Sequence, residues 1–196
     1  SPTPPPPPPG SIRSITFEGG LLDPTTGVDS QTGAVTLETS LPIHGTASAR
    51  FANTTGYLQE AFPATADTWV TFRARIDGLP AAAPRIFMLS NAGVTTGNLT
   101  LSTTGRLRLR NASTAVGVQS APLQVGNTYI IGLHQTRGTS ADAVLEAFVA
   151  PDGQPFGTPF ARMTNGAWTT SADRMRFGAT NGTAVSLTFD DVLVAS

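Results

Sequence analysis

The chain has 196 residues, a length that suits one domain with a short appendage. Charged residues make up 13% and the net charge is −1, which excludes a general electrostatic attraction to nucleic acid or to a membrane surface. Cysteine is absent and all 12 basic residues are arginine, so disulfides, thiolate chemistry and lysine Schiff bases are excluded. No apolar run approaches the roughly 20 residues that a membrane-spanning helix needs, so we expect no membrane insertion.

The first ten residues read SPTPPPPPPG. Such a tract cannot contribute to a hydrophobic core and favours an extended polyproline II rod. It predicts either a linker to a neighbouring module or a segment that docks on another subunit. The weakly charged composition, rich in threonine, serine and glycine, is typical of bacterial surface proteins. We therefore expect a secreted protein that is located outside the cell, at the cell surface.

Residues 11–196 alternate apolar and polar residues with the period of two that is typical of β-strands. In the strand predicted at residues 67–77, every second residue is apolar, and Trp69, Arg73 and Arg75 lie on the opposite face. The other predicted strands are residues 11–18, the two arms of a hairpin at 98–111, and residues 127–136, 143–150, 174–179 and 184–194. In the hairpin, Leu99 and Leu101 are expected to face Leu107 and Leu109. This pattern predicts one all-β domain, a two-sheet antiparallel sandwich, over residues 11–196.

Several segments follow one another in a characteristic order: TFEGG (16–20), GYLQEAFP (56–63), WVTFRARIDGLP (69–80), IFMLSNAG (86–93), LTLSTTGRLRLR (99–110), GNTYIIGL (126–133) and RFGATNG with LTFDDVLV (176–194). This order resembles the concanavalin A-like lectin/glucanase superfamily, in particular its LamG-like and carbohydrate-binding modules. The resemblance implies a jelly-roll sandwich whose first and last strands are adjacent. It also implies a polysaccharide or glycoconjugate as the partner.

The resemblance further implies a structural calcium ion, bound by an early Phe-Glu and a late Asp-Asp. The matching residues are Glu18, Asp190 and Asp191. Carboxylates on two adjacent strands are suitable calcium ligands, since the ion takes six to eight oxygens. Strand alternation directs Asp190 and Asp191 to opposite faces, so we expect at most one of them beside Glu18. The alternative is that one acid accepts backbone hydrogen bonds and the other is solvated.

The sequence contains no recognisable catalytic pattern. Retaining glucanases carry Glu-x-Asp-x-x-Glu on one strand, because their chemistry needs two carboxyl groups about 5–5.5 Å apart, and this chain has no such segment. The two histidines, His44 and His134, are far apart and belong to no Ser-His-Asp or HExxH pattern. We therefore expect a protein that is not an enzyme, in which both imidazoles have surface or hydrogen-bonding roles.

Two tryptophans are candidates for stacking against a sugar ring. Trp69 lies on the polar face of its strand. If that face is open to solvent, the indole can stack against a sugar ring; if the face is covered, Trp69 is a core residue. Trp168 lies in the polar loop 165–173, where it binds a ligand or closes one end of the core. Both alternatives stay open for each tryptophan.

The arginines form two stripes with a period of two, Arg73 with Arg75, and Arg106 with Arg108 and Arg110. Such a stripe can bind carboxylate, sulfate or phosphate groups through paired N–H donors, or it can be the solvated face of a strand. Four Asn-x-Ser/Thr sequons are candidate glycosylation sites. They are Asn53, Asn98, Asn111 and Asn181.

Two functions from different classes fit this sequence. The first is a non-catalytic extracellular module that binds glycan or mediates adhesion. The second is a structural subunit of an extracellular filament or surface layer, with the proline-rich segment docked on the neighbouring identical subunit.

Overall fold

The computed structural model describes residues 10–196, which form 15 β-strands and no helix. The strands are β1 (Ser11–Ile15), β2 (Ser30–Thr32), β3 (Thr36–Glu38), β4 (Ser48–Thr54), β5 (Tyr57–Ala61), β6 (Asp67–Gly78), β7 (Arg85–Asn91), β8 (Val94–Leu101), β9 (Leu107–Asn111), β10 (Thr114–Val116), β11 (Thr128–Thr136), β12 (Val144–Pro151), β13 (Ala161–Met163), β14 (Arg174–Gly178) and β15 (Val185–Ala195). Within this part of the chain, nothing has the length and apolar character of a membrane-crossing helix. The prediction of an all-β chain is confirmed.

The proline tract falls on residues 1–9, outside the described residues. Its two interpretations, a linker or a docking segment, therefore stay predictions. The filament hypothesis depends on the docking segment and stays a prediction with it.

Sheet A has the strand order β13-β12-β11-β6-β15-β4-β3, and all its pairings are antiparallel. Strand β1 pairs with the second half of β15, while β4 pairs with the first half. The first and last strands are thus adjacent, as the sequence resemblance implied.

Sheet B has the order β10-β9-β8-β7-β14-β5-β2 and is also antiparallel. The predicted hairpin is confirmed, since Leu99 pairs with Leu109 and Leu101 with Leu107. Each of these leucines is at most 1% exposed, because alternate residues of both arms face the other sheet.

The two sheets pack face to face as a jelly-roll sandwich around one hydrophobic core. Aromatic rings from the two sheets pack against each other in the middle of the core. The ring centroids of Phe72 (sheet A) and Phe87 (sheet B) are 5.0 Å apart, and those of Phe189 (sheet A) and Phe177 (sheet B) are 5.5 Å apart. Such contacts between rings add to the free energy gained from burying apolar surface. A single core of this size fixes both sheets, so their outer faces are held as rigid surfaces.

A partly buried ion pair connects the two sheets. Arg13 of β1 donates to the carboxylate of Glu60 on β5, and also to the backbone carbonyl oxygens of Thr25 and Gly27. The Glu60 side chain is 4% exposed, and its second oxygen accepts from the backbone N–H of Asp29. Because Glu60 is used here, it is not available to the outer face of sheet B.

Candidate functional site

The outer face of sheet A collects polar side chains from strands that are distant in sequence. On β6, burial alternates as predicted: Val70 and Phe72 are in the core, whereas Trp69, Arg73 and Arg75 are partly exposed on the outer face. The neighbouring strands place His134 opposite Trp69 and Asp190 opposite Arg73. We take this face as the candidate site.

Four side chains, His44, Arg73, Asp152 and Asp191, form what we call the His44 cluster. His44 Nδ1 lies 2.6 Å from Asp191 Oδ2, and His44 Nε2 lies 3.4 Å from Asp152 Oδ2. Arg73 contacts the same two carboxylates, through Nε to Asp152 at 2.8 Å and through a terminal nitrogen to Asp191 at 2.9 Å. The side chains of the cluster are between 9% and 27% exposed. The cluster is therefore reachable from solvent but tightly held.

Asp190 lies beneath the cluster and is 1% exposed. It accepts hydrogen bonds from the backbone N–H of His44 at 3.0 Å and from the Ser48 hydroxyl at 2.8 Å. Burial raises the pKa of Asp190 from 3.8 to about 7, because the loss of water destabilises the charged carboxylate more than its hydrogen bonds stabilise it. A carboxyl group that titrates near neutral pH thus supports the loop that carries His44.

The structure corrects the expectation that Asp190 and Asp191 point to opposite faces. Both carboxylates reach His44, one its backbone N–H and the other its imidazole. The reason is a β-bulge: three steps of β15, from Asp190 to Leu193, face two steps of β6, and Asp191 has a φ of 45°. The extra residue interrupts the alternation at the point where the partner of β15 changes from β4 to β1.

A second histidine, His134, lies on the same face near the C-terminal end of β11. His134 Nε2 is 2.6 Å from Asp67 Oδ1, and its Nδ1 is 2.9 Å from Glu146 Oε2. Its ring stacks on Trp69 with the centroids 4.0 Å apart and the planes at 7°. Trp69 is partly exposed beside this stack, so the outer-face alternative holds for this tryptophan rather than the core.

Arg75 is the centre of a third group of polar contacts on this face, which lies beside a cleft of about 460 Å³. It donates to Asp77 at 2.7 Å, to the backbone oxygen of Leu41 at 2.6 Å and to Thr188 at 3.1 Å. The loop that contains Leu41 also contains His44, so Arg75 helps to fix the position of the His44 cluster.

A second loop, residues 152–160, covers the middle of the face. A Cβ atom on Gly132 would lie 3.0 Å from the ring of Phe156, so the ring packs directly on the strand where a side chain is missing. Because Asp152 begins this loop, the packing of Phe156 helps to hold the segment that carries the Asp152 carboxylate, which is itself bonded to Arg73.

The other predicted binding residues are placed elsewhere. Trp168 is 7% exposed and belongs to the hydrophobic core, so it closes the core rather than lining an open surface. Arg108 and Arg110 lie on β9, and Arg106 directly precedes it, so this stripe belongs to sheet B.

Of the four sequons, Asn53 and Asn181 are exposed and Asn111 is partly exposed. Asn98 is 1% exposed and its amide donates to the Ala112 backbone oxygen, so the folded chain leaves no room for a glycan there. Glycosylation at the other three positions stays a prediction.

The predicted calcium ligands do not form one carboxylate group. Glu18 accepts hydrogen bonds from the backbone and hydroxyl of Thr46, whereas Asp190 contacts His44 and Ser48 at other points of the same segment. Over residues 10–196, no three His, Asp or Glu side chains are arranged to hold a metal ion. A calcium ion would have to replace these donors, and the site stays a prediction that calcium titration can test.

Sequence reasoning missed several members of the site: His44, Asp67, His134, Glu146 and Asp152. His44 and Asp152 lie in loops, where no periodicity marks them. The row Trp69–His134–Glu146 had a detectable signal, because all three residues lie on polar faces of predicted strands, but finding it requires the order of strands in the sheet.

No family model and no curated protein matches this chain. Solved structures do match. The cellulose induced protein Cip1 has a TM-score of 0.66 and 18% identity over 93% of this chain and 96% of that one. Endo-β-1,4-glucuronan lyase from the fungus Trichoderma reesei has a TM-score of 0.58 and 11% identity over 94% of both chains. Trypanosoma rangeli sialidase has a TM-score of 0.60 and 12% identity over 95% of this chain, which spans 30% of that protein.

At these identities, the likeness shows a shared β-sandwich fold. It does not single out the concanavalin A-like superfamily, which stays a prediction. The likeness does correct the expectation that the chain is not an enzyme: a lyase and a sialidase contain this architecture, so the lack of a catalytic sequence pattern was no ground for excluding catalysis.

Proposed function

We propose that this protein cleaves polysaccharide, with the substrate bound along the outer face of sheet A. The observation that carries the proposal is the His44 cluster, in which an imidazole lies between two carboxylates beside an arginine on a partly open surface. The names of the similar structures, a glucuronan lyase, a sialidase and a cellulose induced protein, support a glycan as the substrate class.

Hydrolysis of a glycosidic bond needs one group that gives a proton to the leaving oxygen and one that takes a proton from the attacking water. His44 Nε2 and Asp152 Oδ2 are 3.4 Å apart, too close to act as two separate groups on opposite sides of the bond. The two side chains, 16% and 27% exposed, instead act as one acid–base pair, which gives its proton to the leaving oxygen and takes one back from the water. Asp191 and Arg73 act as positioning residues: Asp191 fixes the imidazole through Nδ1, and Arg73 fixes both carboxylates.

The charge of the face favours a substrate without acidic groups. Its acidic residues outnumber its arginines and would repel a polyanion. The acids are Glu38, Asp67, Asp77, Glu146, Asp152, Asp190 and Asp191, and the arginines are Arg50, Arg73, Arg75 and Arg162. Each of these arginines is paired with a carboxylate of the same face, so none is left to attract an anion.

Trp69 adds an apolar contact at one end of the face. Its indole is partly exposed, and its orientation is fixed by the stack on His134. A fixed aromatic surface binds the apolar face of a sugar ring with little loss of conformational entropy. In this proposal, Trp69 contributes to substrate binding and the His44 cluster to the chemistry.

The test is release of reducing ends from a panel of neutral polysaccharides: mixed-linkage β-glucan, xylan, mannan and amorphous cellulose. We expect the His44→Gln variant to lower kcat at least 100-fold, the scale of one general acid or base. We expect Trp69→Leu to raise KM with little change in kcat, because it removes a contact made equally in the ground and transition states.

Arg137→Gln is the matched control, because Arg137 is exposed and lies outside the strands of both sheets. Its kinetics should equal those of the wild type. The proposal fails if the wild type releases no reducing ends from any member of the panel, or if His44→Gln retains full activity. Secretion to the cell surface stays a separate prediction.

A further inference from the structure

The outer face of sheet B carries arginines that have no acidic partner. They are Arg85, Arg106, Arg108, Arg110, Arg174 and Arg176. Within residues 10–196, none of them lies within ion-pair distance of a carboxylate. The strands of this sheet contain a single acid, Glu60, which is bonded to Arg13. The face is therefore basic without internal compensation.

Two of these arginines line a cleft of about 560 Å³ on this face. Arg85 and Arg110 line it together with the exposed amide side chain of Asn181, while Asn98 is buried at its base and donates to the Ala112 backbone oxygen. Guanidinium and amide groups are the planar donors that bind carboxylate and sulfate oxygens. The cleft thus combines positive charge with directional hydrogen-bond donors.

The donors of the cleft are only partly used within the protein. Arg110 donates from one terminal nitrogen to the Ser113 backbone oxygen, while its buried Nε has no partner among the described residues. Arg85 is held by the hydroxyl and the backbone oxygen of Thr180. The remaining terminal N–H groups of Arg85 and Arg110 have no acceptor among the described residues, so they can donate to an anionic oxygen in the cleft.

The charge around Arg85 supports the same conclusion. Burial, with a smaller contribution from the like charge of Arg176, lowers the pKa of Arg85. Arginine keeps its proton at any physiological pH, so the two neighbouring cations remain charged and repel each other. A bound anion would relieve this repulsion.

A row of cross-strand partners extends beyond the cleft across the sheet, with donors towards its two ends and the buried Asn98 and Met88 between them. From Arg110 the row passes through Asn98 and Met88 to Arg176 and ends at Gln59, because these residues are direct partners on successive strands. The two ends of the row are four inter-strand spacings apart, a distance of about 19 Å. Arg176 also lies over the ring of Tyr57 at 4.9 Å, which holds the guanidinium at the surface. A row of this length suits an extended chain better than a small ion.

We propose that the outer face of sheet B binds an acidic polysaccharide, with a uronate carboxylate or a sulfate ester in the cleft between Arg85 and Arg110. The site is on the opposite side of the sandwich from the His44 cluster and does not depend on catalysis there. It would hold the protein on an acidic matrix polymer while the outer face of sheet A acts on a neutral one.

The test is affinity electrophoresis and calorimetry of the full chain with polygalacturonate, dextran sulfate and unmodified dextran. We expect binding to at least one of the two acidic polymers and none to dextran. The comparison of polygalacturonate with dextran sulfate shows whether the carboxylate or the sulfate is preferred. Affinity should decrease as sodium chloride is raised, since the contacts are ionic and partly exposed.

The variant Arg85→Gln/Arg110→Gln should raise Kd at least tenfold, whereas Arg137→Gln, which removes one positive charge outside the site, should bind like the wild type. If the double variant does not fold, Arg110→Lys provides the test. It keeps the charge but loses the planar donors, and we expect Kd to rise severalfold.

Any one of the following results would overturn the proposal: no binding of either acidic polymer by the wild type, unchanged binding by the folded double variant, or equal affinity for single-stranded DNA, which would indicate unspecific polyanion binding. Competition by inorganic sulfate at the same molar affinity as the polymer would also overturn it, because the row would then contribute nothing. The His44→Gln variant should retain polymer binding, so a failure of this proposal and a failure of the proposed cleavage are distinguishable.

Discussion

The two outer faces of the sandwich use the same residue type in opposite ways. On the outer face of sheet A, Arg50, Arg73, Arg75 and Arg162 each bond to a carboxylate of that face, as Arg73 does with Asp152 and Asp191. On sheet B, Arg85 and Arg110 contact only hydroxyl or backbone oxygens in the described part of the chain. Counting arginines along the sequence would not separate the two faces. The hydrogen-bond partners of the arginines do separate the two faces, because a guanidinium paired with a carboxylate positions other groups and an unpaired guanidinium attracts an anion.

The two faces also differ in the groups whose pKa is shifted by burial. On sheet A, burial raises the pKa of Asp190 to about 7, so an acid is partly neutralised at physiological pH. On sheet B, burial and Arg176 lower the pKa of Arg85, which nevertheless stays charged. Sheet A thus offers groups that exchange protons, and sheet B offers fixed positive charge.

Removing one arginine from each face tests whether the two faces differ in this way. We expect Arg73→Met to lower the free energy of unfolding by about 3 kcal/mol, because Asp152 and Asp191 lose the cation that compensates them. Arg108→Met should change it by less than about 0.5 kcal/mol, because Arg108 has no carboxylate partner. Urea unfolding at pH 7 measures both. Equal losses would show that the pairing on sheet A contributes nothing special to stability.

The pH dependence of Asp190 gives a second, slightly smaller effect. A folded-state pKa above the unfolded value means that the native state binds a proton the unfolded chain releases. This group's contribution to stability is therefore complete below about pH 4 and is lost as the pH rises towards 7. Asp190→Asn removes the titration, so its stability relative to the wild type should improve by about 2–3 kcal/mol between pH 5 and pH 8.

Urea unfolding of both proteins at the two pH values tests this expectation. The quantity to compare is the difference in the free energy of unfolding between the wild type and Asp190→Asn at each pH, because the titration of every other group cancels in that difference. A constant difference across the range would contradict a raised pKa at Asp190.

The smallest expected effect concerns the loop that covers sheet A. Gly132→Ala places a Cβ 3.0 Å from the Phe156 ring, so the ring and the loop must shift. We expect a loss of about 1 kcal/mol in stability and a lower cleavage activity, because Asp152 moves with the loop. Gly157→Ala is the matched control, since its Cβ would meet nothing within 4 Å. Thermal melting and reducing-end release check both variants, and equal behaviour would show that Phe156 does not position Asp152.

Much of the fold follows from local pattern. The period of two along residues 67–77 assigned Trp69, Arg73 and Arg75 to the outer face, and the hairpin at Leu99–Leu109 was specified by its own leucines and turn. These features depend on neighbours within about ten residues, where alternation and turn chemistry act directly. The sequence alone therefore determined these strands, the faces of their residues and the two-layer architecture, whereas the strands β2, β3, β4, β5, β7, β10 and β13 were not predicted.

The sites were decided by the tertiary structure. His44 and Asp191 are 147 positions apart, and they meet because β4 and β6 flank β15 and a bulge in β15 turns Asp191 towards the loop. The link between Arg110 and Arg176 likewise depends on the order of strands in sheet B. Alternation tells which face a side chain occupies, but the order of strands and the irregularities between them tell which charges become neighbours. Electrostatic attraction, repulsion and proton exchange act over a few ångströms of space, whatever the separation along the chain.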